Sequence, residues 1–205
     1  MATPEFLFRT TGLNTLMTWR EIYMRNLTAL LTLGLVLALG GCVPSLHPLY
    51  TDNDVVFDAA LLGQWVSTER DSKETLTFTK GDKNAYKLVQ IDDSSKGVYI
   101  AHLIKLDGKL FLDVKPDPDA KCECVCAPFH MSFFVSQIQP TLRIRDLDDK
   151  WLEAFLKKNP SALGHEFVGE DLWLTAPPKQ LQSFVLKHLN TKGAFADPED
   201  YVRKE

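Results

Sequence analysis

Residues 121–126 read KCECVC, which puts Cys122, Cys124 and Cys126 at every second position, with His130 four residues beyond the last. In an extended segment, alternate side chains share one face about 7 Å apart. A bend would gather them, and three thiolates with an imidazole could hold Zn(II) or Cu(I). Structural zinc sites, however, usually combine two separated Cys-x-x-Cys pairs, and this cluster is one local run without a second half. In an oxidising compartment the same thiols would pair, for example Cys122 with Cys126, leaving one cysteine over. The readings, in order, are a loop disulfide with an odd thiol, unligated thiols, and a metal site. No metal and no cofactor is the expectation.

The other polar residues offer little chemistry. The histidines are His47, His102, His130, His165 and His188, and no two lie three or four positions apart. His188 falls among apolar positions of an expected helix and reads as a packing residue. The chain contains no G-x-S-x-G, H-E-x-x-H, phosphate-binding glycine loop or EF-hand run. Asp92–Asp93, Asp117–Asp119 and Asp148–Asp149 sit at expected turns or at a helix start, where capping and solvation account for them. No catalytic set emerges, and the chain is read as a non-enzyme.

The fourth cysteine has a different setting. Leu27–Leu39 reads LTALLTLGLVLAL, an uncharged run preceded by Arg20 and Arg25 and followed by Gly40-Gly41-Cys42. Thirteen residues of helix cover about 20 Å, too little for a hydrocarbon core of about 30 Å. A basic start, a short apolar run and small residues are the layout of a secretory signal. The segment Leu39-Gly40-Gly41-Cys42 resembles the lipobox of bacterial lipoprotein precursors. The resemblance implies a signal peptide over 1–41, cleavage before Cys42, and acylation of the Cys42 thiol with fatty chains such as palmitate. It also implies a cell-envelope location, held to a membrane by lipid and facing the periplasm. Val43, which is not acidic, favours the outer membrane by that analogy. Met17 and Met24 also precede the apolar run, and either can serve as the true start.

What lies beyond the cysteine reads as one domain. The chain of 205 residues has a net charge of -4 and is 45% hydrophobic, the composition of an ordinary globular protein. No basic run or basic patch studded with aromatics appears, so nucleic acid is not an expected partner. Residues 42–58, with two prolines and little periodicity, read as a lipidated tether whose end packs through Val55, Val56 and Phe57. Residues 59–205 form the single globular domain.

Strand signals dominate its first two thirds. ETLTFTK puts Leu76 and Phe78 on one face, and Asp107-Gly108 between apolar runs is the strongest hairpin signal in the chain. Strands are expected at 63–68, 74–80, 85–91, 98–106, 109–115, 129–139 and 141–147. A helix capped by Asp148 then runs to Lys158, with Trp151, Leu152, Phe155 and Leu156 on one stripe. A hairpin follows around Gly169-Glu170. Pro177-Pro178 opens a last helix to Leu189, and 197–203 is expected to add a short helical turn. The fold class is α+β: a curved or closed antiparallel sheet with one or two C-terminal helices.

Gly63-Gln64-Trp65 at the start of the first of these strands resembles the G-x-W signature of lipocalin-like (calycin) barrels. That resemblance implies a barrel end plugged by Trp65, with Gly63 beside it and a late-strand arginine, Arg143 or Arg145, stacked over the indole. It also implies an apolar small molecule or lipid as ligand. The stretch from CVPSLHPLY through GQW is similar to a group of uncharacterised bacterial lipoproteins, which implies no activity. The competing reading is a structural or interaction lipoprotein that docks on an envelope protein and has no small-molecule ligand.

Overall fold

The structure is a computed structural model describing residues 43–120 and 128–204. The expected signal peptide, Cys42, and the cluster Cys122, Cys124 and Cys126 lie outside the described residues. Among the described residues, strands β1 (Val55–Val56) to β8 (Thr141–Asp146) come first, then helix α1 (Asp149–Lys158) and the hairpin β9 (His165–Val168) and β10 (Asp171–Leu174). Helix α2 (Pro178–His188) and strand β11 (Glu199–Arg203) follow.

Strands β2 (Gly63–Ser67), β3 (Thr75–Lys80), β4 (Tyr86–Ile91), β5 (Lys96–Leu106), β6 (Lys109–Pro116), β7 (Met131–Gln137) and β8 each pair with the next, antiparallel. β11 slots between β8 and β2, so Tyr201 faces Leu142 on one side and Ser67 on the other. The result is a closed, eight-stranded, up-and-down antiparallel barrel of lipocalin-like form with two helices. Closure leaves no sheet edge among its strands except where β1 extends the β4 position along Leu103 and Ile104.

Local chemistry accounts for most elements. Asp107 and Gly108 both take positive φ (46° and 76°), the requirement of a tight two-residue hairpin turn, and they join β5 to β6. The Asp148 carboxylate accepts from Trp151 N at 2.6 Å to cap α1, and Lys157 and Lys158 close it. The stretch 197–203, expected as a helical turn, contains strand β11 instead. EDYVR has too few apolar residues to announce a strand. Its extended form is set by backbone partners waiting on both sides, which only the closed barrel supplies.

Two cores result. Inside the barrel lie Trp65, Phe78, Tyr86, Leu103, Leu142 and Tyr201, none more than 2% exposed. Outside it, Ile104, Leu106 and Phe111 from β5 and β6 meet Leu152 and Leu156 of α1 and Leu181, Phe184 and Val185 of α2. Both faces of the β5–β6 hairpin are therefore covered, which explains why Leu103-Ile104 and Leu110-Phe111-Leu112 run apolar without alternation. His188 packs against Trp151, Phe155 and Phe184, with ring centroids 4.6–5.3 Å away.

Candidate functional site

The end of the barrel where β2 starts is sealed. Trp65 Nε1 donates to Leu61 O at 2.9 Å, and a short 3-10 turn (Ala59–Leu61) runs beneath it. The cation over the indole is Arg203, 4.5 Å from the ring centroid, and its guanidinium also donates to the carbonyls of Leu62 and Ala60. Arg143 and Arg145 do not take this role. Arg143 forms a two-pronged pair with Asp200 (2.6 and 2.7 Å), and Arg145 donates to the carbonyls of Ala196 and Phe195. They sit one register position out of phase with Leu142 and Ile144, so they point outside the barrel. Gly63 is required beside Arg203: its φ is +120°, and a Cβ there would come within 2.6 Å of the arginine Nη1.

The other end is an acidic rim over a filled interior. Tyr201 reaches Glu74 Oε2 at 3.0 Å and Glu199 Oε2 at 2.9 Å, and Gln90 Nε2 donates to Glu74 Oε1 at 2.5 Å. A phenol has one hydrogen, so both contacts are satisfied only when one carboxyl carries a proton of its own. Burial first, then the charges of Glu74, Asp146 and Glu69, push the Glu199 carboxyl up, against the Tyr201 hydrogen bond. Tyr201 is held far above the usual phenol range by burial and by Glu199 and Glu74. Tyr99, Met131 and Phe133 pack partly buried against the same interior.

The raised Glu199 value fixes a sign. From about pH 4.5 upward the unfolded chain releases a proton that the folded chain still holds. The stabilisation is therefore full below that pH and is lost as pH rises through the folded value. Glu199→Gln should gain stability relative to the parent between pH 4 and pH 7, read from urea midpoints at both. An equal difference at the two pH values would contradict this rim.

Under the N-terminal strap lies a buried carboxylate that sequence reasoning missed. Asp113, fully buried on the outer face of β6, accepts from Leu49 N at 2.9 Å and pairs with His130 Nδ1 at 2.6 Å. Ser132 Oγ is at 3.5 Å, the limit of a hydrogen bond. His130 and Ser45 exchange both backbone hydrogen bonds, so the pair also pins the strap. His102, across from Asp113 in the β5–β6 register, stacks 4.6 Å from Tyr50. Burial depresses the His102 pKa, with Lys115 and His130 adding and Asp113 opposing, so its ring stays neutral at pH 7. Burial, with Asp113 and Asp52, pushes the Tyr50 hydroxyl up to about 12.

An aspartate that orients a histidine is half of a base-and-nucleophile set. The Ser132 hydroxyl at the pair faces the aspartate rather than the imidazole. No group of three His, Cys, Asp or Glu among the described residues could hold a metal ion. The pair does structural work: it ties 45–50 to the barrel.

Of the strap itself, Ser45 bridges His130 and Leu174, Leu49 is 1% exposed, and Gln182 of α2 donates to Leu49 O at 2.9 Å. Tyr86 receives Asp58 N at 2.7 Å and stacks on Phe57. The stretch read as a tether is seated from Val43 on.

Two clefts open on the helix side. One of about 260 Å³ lies among Val43, Pro44, Asp149, Glu153, Glu170, Asp171, Leu172 and Trp173. The other, about 20 Å³, is water-sized and bordered by Ser45, Leu49, Ser132 and Val185. Neither takes a wall from the apolar side chains of the barrel interior. Comparison with protein-family models, with curated proteins and with solved structures finds nothing that matches this chain.

Proposed function

We propose that the chain is a cell-envelope lipoprotein, acylated at Cys42 and facing the periplasm, whose barrel is a solid scaffold for contacts made on its outside. The anchoring half rests on the short apolar run Leu27–Leu39 leading through Gly40-Gly41 to Cys42. The scaffold half rests on one observation: the barrel interior is occupied by its own large side chains, from Trp65 and Phe78 through Tyr86 to Tyr201. Eight strands leave room either for such a filling or for one small ligand, and the filling supports the scaffold reading.

A second reading keeps an apolar small molecule or lipid as the ligand, bound shallowly at the acidic rim. Tyr99, Met131 and Phe133, partly exposed there, favour it. One titration separates the two. A fluorescent fatty acid added to the unlipidated domain should give no saturable emission change if the barrel is a scaffold. Saturable binding that a lipid extract reverses would replace the scaffold reading with the ligand one.

A further inference from the structure

We propose that the outer face of the small sheet built by the strap and the β9–β10 hairpin lies against the lipid bilayer. The inference deepens the reading of Cys42 as an acylated anchor and rests on it. Cys42 immediately precedes Val43 in the sequence, so only one peptide separates the acylated residue from the strap. Beyond Val43 the chain has no slack. Leu174 N donates to Pro44 O and Leu46 N to Leu174 O, both at 2.9 Å, while Ser45 N and O exchange bonds with His130 at 2.9 and 2.8 Å. A cysteine held by acyl chains at the headgroup level therefore holds this sheet there too.

The pleat decides which face meets the lipid. Ser45 and Leu174 pair and are both buried, so their neighbours Pro44, Leu46 and Trp173 point away from the core. Across the hairpin, Glu166 opposite Trp173 and Val168 opposite Asp171 share that outer side. Leu46 is 51% exposed and Val168 63%. Trp173 is half-buried and meets Phe129 edge-on at 6.1 Å. Exposed aliphatic residues beside a half-sunk tryptophan make a surface suited to the headgroup boundary, where an indole keeps its ring in apolar contact and its N–H wet.

Charge selects the lipid. Glu166 and Asp171 lie on the same face, and the adjoining cleft beside Val43 and Pro44 carries Asp149, Glu170 and Glu153, the last paired with Lys157, with no basic side chain among its described lining residues. Anionic phosphates would be repelled, whereas an ammonium headgroup such as that of phosphatidylethanolamine finds acceptors. The occupant is thus a zwitterionic bilayer surface.

The test uses the acylated, full-length-derived protein in vesicles of equimolar phosphatidylethanolamine and phosphatidylcholine with brominated acyl chains, which quench nearby tryptophan. After cleavage before Cys42, the tryptophans are Trp65, inside the barrel, Trp151 on α1, and Trp173. Emission should fall in brominated relative to ordinary vesicles. Trp173→Phe should remove that loss, and the double variant L46D/V168D should reduce it while labelled palmitate uptake is unchanged. Replacing part of the phosphatidylethanolamine by phosphatidylglycerol should weaken the quenching. An acylated protein with equal emission in both vesicle types overturns the inference and leaves the anchor intact. So does quenching that persists in Trp173→Phe, or shielding of Trp173 that depends on protein concentration instead of lipid. A chain that takes up no acyl group removes the anchor and the inference together.

Discussion

Cells producing Cys42→Ser should incorporate no labelled palmitate into the chain, and the product should keep its leader. The thiol is the atom that takes the lipid in the resemblance drawn from Leu39-Gly40-Gly41-Cys42, and a hydroxyl does not replace it. The expected effect is complete loss, because Cys122, Cys124 and Cys126 lack the preceding apolar run and small residues. Each buried CH₂ contributes about 0.8 kcal/mol to membrane affinity, so two or three chains hold a protein firmly where one does so only reversibly. Gel fluorography after labelling checks the uptake, and intact mass checks the processing. Labelling that survives in C42S would move the acylation elsewhere. Normal cleavage without any label would make the leader an ordinary secretory signal.

The second large effect lies at Asp113. Asp113→Ala leaves Leu49 N and His130 Nδ1 without their acceptor in a buried setting. Each orphaned buried group costs about 1–3 kcal/mol, so the two together should cost about 2–6 kcal/mol in chemical denaturation. Part of the response should be local: the strap 45–50 should become cleavable by protease before the barrel unfolds, since it is then held by its backbone bonds to His130 and Leu174 and by Gln182 of α2. Ser132→Ala removes only a contact at 3.5 Å and should cost little. A loss below about 1 kcal/mol for Asp113→Ala would show that the strap is held by Leu49 packing and not by the carboxylate.

The elements that were legible in the sequence carried local signals. ETLTFTK alternates, Asp107-Gly108 is a turn that must take positive φ, and Asp148 with Lys157 and Lys158 frames a helix. The α+β class and the curled sheet follow from such signals alone. What was not legible depends on partners distant in sequence. β11 is extended because β2 and β8 present backbone groups to it, and EDYVR alone announces nothing. The same distance hid Arg203: a late-strand arginine was expected over Trp65, but its position depends on which strand closes the barrel. Asp113 did leave a trace, a single carboxylate inside LFLDV, where a strand covered on both faces has no solvent side for it. His102, opposite it in register, became visible only once β5 and β6 were paired. Proline content suggested a loose tether over 42–58, whereas Leu49 and the bridge at Ser45 bind it to the domain through residues far along the chain.

The intact mass of the protein extracted from membranes bears most directly on the central claim, that a lipid on Cys42 anchors a domain folded from the next residue onward. The account predicts a chain beginning at Cys42 and heavier than its sequence by two or three fatty acyl chains with glycerol. A mass that includes residues 1–41, or a chain beginning at Cys42 with no added lipid, would contradict it.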